Sequence, residues 1–249
     1  MFPGPKSRNL PLLCYVTDRS LIRAEPAARH KILLKKIAAA ASAGVDWIQI
    51  REKDLSGKEA STLAREAVKL ARDRAGNDPS GAEPSSSVSP RGPVCSPARP
   101  THARILVNDR LDIALAAHAG GVHLGEQSLP PEEALRLLKW LEREDFLIGA
   151  SCHSPKAAKE AERGGADYLF FGPVFATPSK AAYGAPQGLD RLGEVCRAVT
   201  LPVLAIGGIT RENAAACLSA GASGIAAIRL FQHAPELAAL VKALKTSTR

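Results

Sequence analysis

Three polar side chains alternate in the run Gln49-Ile50-Arg51-Glu52-Lys53. On an extended strand every second side chain faces the same way, so this spacing turns Gln49, Arg51 and Lys53 to one side. An amide and two cations together suit a diphosphate, because a guanidinium grips two oxygens at once and an ammonium acts as a point charge. The competing reading is a solvated charge cluster, Arg51-Glu52-Lys53-Asp54. Another apolar run closes on Asn108-Asp109. That pair can ligate Mg2+ or orient a phosphate, since Mg2+ is commonly held by one or two carboxylates plus substrate phosphates. Capping of the helix that follows is the alternative use of Asp109.

Other reactive side chains follow apolar runs in the same way. Ser151-Cys152-His153-Ser154 carries an imidazole that could serve as a general base or phosphate donor, though a lone histidine is commonly structural. The segment from Gly172 to Lys180 carries Thr177, Ser179 and Lys180, and small, turn-rich residues continue it to Gly188. Such a stretch is fit for a mobile cover. In Gly207-Gly208-Ile209-Thr210 the paired glycines let backbone N–H groups approach a phosphate closely. Ile228-Arg229 adds a cation.

These groups need a scaffold that brings strand ends together. Short apolar runs recur at Leu12–Thr17, Val45–Arg51, Arg104–Asn108, Gly121–Leu124, Phe146–Ser151, Asp167–Gly172, Pro202–Ile206 and Ser223–Ile228. Most are continuous rather than alternating, as expected of parallel strands covered on both faces. Between them lie helical patterns over Ala27–Ala43, Lys58–Arg72, Arg110–Ala117, Pro131–Arg143, Pro155–Arg163, Gly188–Val199, Arg211–Ala220 and Pro235–Leu244. Glycines at Gly44, Gly120, Gly165 and Gly221 stand just before strands, where a left-handed residue turns a helix end back. The alternation predicts an α/β protein, one (β/α)8 TIM barrel spanning residues 1–249, with a doubly wound open sheet as the runner-up. The length, 249 residues, agrees with the roughly 250 that such a barrel needs. In that fold chemistry belongs to the C-terminal strand ends, and phosphate often binds the loops after strands seven and eight.

The stretch 73–103 departs from the pattern. It is rich in Ser, Pro, Gly and Arg with almost no apolar periodicity, and composition predicts a disordered insertion between the second helix and the third strand. There it would sit on the face away from chemistry.

Composition narrows the partners. The net charge of +8 favours anionic ligands through long-range attraction, and small phosphorylated metabolites fit better than nucleic acid, for which no recognition motif is present. Five scattered cysteines without a C-x-x-C pair predict reduced thiols. With no signal-like N-terminus and no apolar span, a cytoplasmic protein without membrane partners is expected. Assembly into a homo-oligomer is left open.

Gln49-x-Arg51-x-Lys53, Asn108-Asp109, Gly121-Val122-His123-Leu124-Gly125, Ser151-x-His153, Gly172-Pro173-Val174-Phe175-x-Thr177-x-Ser179-Lys180 and Gly207-Gly208-Ile209-Thr210 together resemble the thiamine phosphate synthase family, which also includes thiazole tautomerases. The resemblance covers nearly the whole chain apart from the insertion and the ends. It implies a transferase that joins hydroxymethylpyrimidine diphosphate to thiazole phosphate and releases diphosphate, with Mg2+ as cofactor. Gln49, Arg51, Lys53 and Asn108 would hold the pyrimidine diphosphate, and Asp109 the metal. Ser151 and Lys180 would contact that substrate or the departing diphosphate, while Thr177, Ser179 and Gly208 would hold the thiazole phosphate, beside Ile228. The catalytic set expected is Arg51, Lys53, Ser151, His153 and Lys180.

Two positions depart from the family pattern. Ser128 stands where a second metal-binding Asp is usual, with Glu126 two residues earlier as the substitute ligand. Arg229 stands where a phosphate-binding Ser is usual. The alternatives are a thiazole tautomerase using His153 as acid and base, and a phosphate-binding barrel without chemistry.

Overall fold

Strands that are apolar on both faces must be covered on both, and a ring of parallel strands inside a ring of helices achieves this. The computed structural model describes residues 10–73, 102–177 and 185–246. Their strands are β1 (Leu12–Val16), β2 (Trp47–Ile50), β3 (Arg104–Asn108), β4 (Gly121–Leu124), β5 (Leu147–Cys152), β6 (Tyr168–Phe171), β7 (Val203–Ile206) and β8 (Gly224–Ala227). They pair in chain order, every pair parallel, and β8 closes on β1. The (β/α)8 barrel expected from the alternation is the fold observed, and the open sheet is excluded. The inserted stretch lies outside the described residues from 74 to 101, as do Cys95, Ser179 and Lys180.

The outer layer comprises α1 (Pro26–Ser42), α2 (Gly57–Asp73), α3 (Leu111–Ala116), α4 (Pro131–Trp140), α5 (Pro155–Arg163), α6 (Gly188–Ala198), α7 (Ala214–Ser219), α8 (Arg229–Gln232) and α9 (Leu237–Thr246). Two helices, α4 and α7, are shorter than their periodicity predicts by three residues or more. Helix α7 starts only at Ala214 because the Thr210 amide donates to Asn213 Oδ1 at 2.8 Å and the Asn213 amide donates to Thr210 Oγ1 at 3.3 Å. Such local side-chain bonds compete with the helical pattern. Helix α4 stops at Trp140, and Glu142 beyond it is left-handed, φ 53°. The short α8 was not anticipated from the pattern. Of the four expected glycine turns, Gly44, Gly165 and Gly221 are left-handed, but before β4 that role falls to His118, φ 51°, not Gly120.

Strand parity divides the core in two. Leu13, Tyr15, Ile48, Ile50, Leu169 and Phe171 face outward into the helices. Cys14, Val16, Trp47, Leu106, Tyr168, Phe170, Leu204 and Ala226 fill the barrel itself. The rings of Trp47 and Tyr168 pack tilted at 47° with centroids 4.5 Å apart, and the Tyr168 ring occupies the space a Cβ on Gly149 would need. Above this plug the inward positions turn polar, at Gln49, Asn108, His123 and Ser151. Alternation along each strand thus delivers polar groups to the C-terminal mouth.

Candidate active site

Gln49 is the next inward residue after Trp47 on β2 and only 1% exposed. Its Nε2 donates to Asn108 Oδ1 at 2.8 Å, and Asn108 Nδ2 donates to Asp109 Oδ2 at 2.6 Å. The remaining oxygen, Asp109 Oδ1, accepts from the Gly125 amide at 3.0 Å and from the Ser128 hydroxyl. Asp109 itself sits at φ 60°, a left-handed conformation that Asp tolerates because its short polar side chain bonds locally. The helix-capping alternative fails. Arg110 occupies the N-cap of α3 without a side-chain capping bond, and the Asp109 carboxylate accepts from the Gly125 amide at the exit of β4.

At the centre of the mouth His123 is buried. Its Nε2 lies 3.0 Å from Ser151 Oγ and its Nδ1 lies 3.2 Å from the Tyr168 hydroxyl. Burial pushes this imidazole down to about 3, with the Asp109 charge opposing and the Arg51 charge assisting. Both charges therefore act on one imidazole, which is neutral at physiological pH. The neutral ring keeps one donor and one acceptor nitrogen, so Ser151 and Tyr168 are held in a fixed relation.

Arg51 leaves β2 half-buried, and its backbone N–H donates to Thr17 Oγ1 at 3.0 Å. Thr17 Oγ1 donates in turn to Glu52 Oε1 at 2.5 Å, and Glu52 Oε2 accepts from the Arg19 amide at 2.8 Å. Burial raises the Glu52 carboxyl despite these bonds. The expected charge cluster is therefore split, with Glu52 serving the β1 exit and Asp54 pairing with Arg19 at 2.9 Å. Strand pairing ends at Ile50, so the two-residue alternation does not reach Lys53, which is exposed on the turn that follows.

Glu126 and His153 meet on the other flank. His153 Nε2 lies 3.7 Å from Glu126 Oε1, and its Nδ1 is bonded to the Gly172 carbonyl. It is Ser128, not Glu126, that meets Asp109. Farther round, the Val174 and Phe175 amides donate to the Ile206 and Gly207 carbonyls at 2.9 and 3.0 Å. This pins the segment leading to Thr177 against the exit of β7. Gly208, φ 66°, lies so close to Phe175 and the Ala176 carbonyl that a Cβ would stand 2.6 Å from that oxygen. Thr177 is half-buried at this edge, Ile228 packs on the barrel plug, and the exposed Arg229 opens α8.

The structure thus gathers Gln49, Arg51, Asn108, Asp109 and Ser151 at one mouth, and joins the Thr177 and Gly208 segments beside them. Thr17, Glu52, His123 and Tyr168 support the site without having been expected to. His123 was within reach of the sequence, since it has inward parity on β4. The bond from Thr17 to Glu52 joins residues 35 apart and leaves no local signal.

An oxygen-only donor set of one carboxylate and a neighbouring hydroxyl at a strand end is chemistry that fits Mg2+. Among the described residues no group of three His, Cys, Asp or Glu side chains could by itself enclose a metal.

A thiamine monophosphate synthase family model matches residues 93–231. The thiamine-phosphate synthase of Chlorobium phaeobacteroides is 37% identical over 88% of this chain and 86% of its own. That of Moorella thermoacetica is 36% identical over 85% of this chain and 86% of its own. Among solved structures, the thiamine phosphate pyrophosphorylase of Pyrococcus furiosus superposes with a TM-score of 0.71 at 30% identity, covering 95% of both chains. The chain belongs to the thiamine monophosphate synthase family.

Proposed function

We propose that this protein is a thiamine phosphate synthase, a transferase that joins hydroxymethylpyrimidine diphosphate to thiazole phosphate and releases diphosphate. The observation that carries the reading is the anchoring of Asp109 from two sides, by the chain from Gln49 through Asn108 to its Oδ2 and by the Gly125 amide and Ser128 hydroxyl on its Oδ1. It fixes a carboxylate at the mouth, where both its charge and that of the half-buried Arg51 reach His123. Departure of diphosphate leaves a pyrimidine-methyl cation, so catalysis consists mainly of stabilising the leaving anion and excluding water. Arg51 and Lys53 would bind the diphosphate oxygens, with Gln49 and Asn108 orienting the pyrimidine end. Asp109 would hold Mg2+, which when bound neutralises charge on the leaving group. Glu126 would have to leave His153 to join it. Ser151, oriented by His123, and Lys180 would face the same substrate. Thr177, Ser179 and the Gly208 amide would hold the thiazole phosphate, bringing its ring nitrogen to the cation, with Ile228 and Arg229 at the edge. No protein nucleophile is needed.

Incubating the purified protein with both substrates and Mg2+ should give thiamine phosphate and diphosphate in equal amounts. The Glu126–His153 pair is an acid–base arrangement that favours a second reading, a thiazole tautomerase. Turnover of the thiazole carboxylate tautomer, with no coupling product, would establish that reading instead. Binding of the phosphorylated ligands without either product would leave a non-catalytic barrel. The cytoplasm is the proposed location, where both small-molecule substrates would be met. Among the described residues no helix is long and apolar enough to cross a membrane.

A further inference from the structure

The N-terminal rim of the barrel, opposite the candidate active site, carries a second concentration of positive charge. Arg104, His102, Arg72, His118 and Arg143 line one cavity of about 150 Å³, with Asp145 as its acidic member. They come from four places: the last turn of α2, the approach to β3, the turn before β4 and the turn before β5. The Arg104 stem lies under Gly120, where a Cβ would stand 2.8 Å from its Cδ, so the absence of a side chain there makes room for it. Burial lowers the Arg104 guanidinium against the opposing pull of Asp145 and Asp167. Burial together with the Arg104 and Arg72 charges also lowers His102. Arg72 Nη2 donates to the His118 carbonyl at 3.3 Å, and Arg143 pairs with Asp145 at 3.2 Å. Among the described residues, the one carboxylate lining the cavity, Asp145, is bonded to one of its three guanidiniums. None of these side chains takes part in the chemistry at the other end. Arg104 and Asn108 are the two ends of β3, about 13 Å apart at ~3.3 Å per residue.

We infer that this cavity is a binding site for a small phosphate-class oxyanion, held by Arg72, Arg104 and His102 at the N-terminal rim of the barrel. Such an anion accepts charge-assisted bonds from guanidiniums in bidentate geometry, and its charge offsets the mutual repulsion of the cations. The chemistry is shared by inorganic phosphate and by diphosphate, and the cavity volume suits a single phosphoryl group rather than a chain of them.

The test follows the imidazole resonances of His102 and His118 by NMR, assigned with His102→Gln and His118→Gln, during titration of the intact protein. Sodium phosphate is the first titrant, diphosphate the second and chloride at matched ionic strength the control. Saturable phosphate shifts at both histidines are expected, with a midpoint on the order of 1 mM or below. His102 should then titrate at higher pH in the presence of phosphate, and Arg72→Gln should weaken binding about tenfold. Stronger shifts with diphosphate than with phosphate would assign the site to the larger anion and overturn the single-phosphoryl reading. Shifts equalled by chloride, or unchanged in Arg72→Gln, would overturn the site altogether. Because the reporters lie at the rim, these outcomes are independent of whether the protein makes thiamine phosphate.

Discussion

Ser128 donates its hydroxyl to the same oxygen of Asp109 that accepts the Gly125 amide. A hydroxyl therefore occupies the place from which a second carboxylate could share a metal with Asp109. If the ion is held by one carboxylate and substrate oxygens, Ser128→Asp should lower the Mg2+ concentration needed for half-maximal activity by about tenfold, since Mg2+ sites accept two carboxylates. Diphosphate release measured against Mg2+ concentration checks this. An unchanged or raised requirement would remove Asp109 as the ligand.

Arg51 and Lys53 differ in burial although the sequence spacing treats them alike. Arg51→Ala is expected to lower kcat about a hundredfold, the scale of losing one oriented donor to developing charge. Lys53→Ala should cost about tenfold or less, because an exposed ammonium is screened by solvent. Steady-state kinetics on both variants check this, and a larger loss in Lys53→Ala than in Arg51→Ala would make Lys53, not Arg51, the main donor to the diphosphate.

His123 makes the protein sensitive to acid. Its imidazole is depressed by burial from 6.5 to about 3, so between those values the unfolded chain takes up a proton that the folded chain refuses. The stability it contributes is complete above about 6.5 and is lost progressively as pH falls toward 3. Denaturant unfolding at a series of pH values should show this decline in the wild type and a flatter profile in His123→Gln. Equal slopes would place the loss elsewhere.

Glu52 acts in the opposite sense. Burial raises its carboxyl above the ordinary glutamate value, so the folded chain holds the proton longer than the unfolded one. Stability attached to this group is greatest at low pH and falls as pH rises from that ordinary value through the raised one. Glu52→Gln keeps the shape and removes the titration, so its stability should change less across the mildly acidic range. If Glu52 also steadies the exit of β2 through Thr17, the variant should lose affinity for the diphosphate substrate while its overall fold is unchanged by circular dichroism.

Much of this protein is decided by local pattern. Continuous apolar runs such as Trp47–Ile50 and Tyr168–Phe171 can be satisfied only by burial on both faces, and regular alternation with helices leaves the closed barrel as the economical solution. The polar residues at the ends of those runs announce the mouth, because chain direction alone puts every C-terminal strand end on one side. What sequence could not decide is which polar groups touch. That Gln49 reaches Asn108, that Ser128 rather than Glu126 meets Asp109, and that Glu52 turns away from Arg51 toward Thr17 depend on strand stagger and loop course. Those are set by packing of the whole barrel around Trp47 and Tyr168. The two-residue period holds only where strands pair, so it turned Gln49 inward as expected and failed at Lys53, on the turn beyond the last ladder pair.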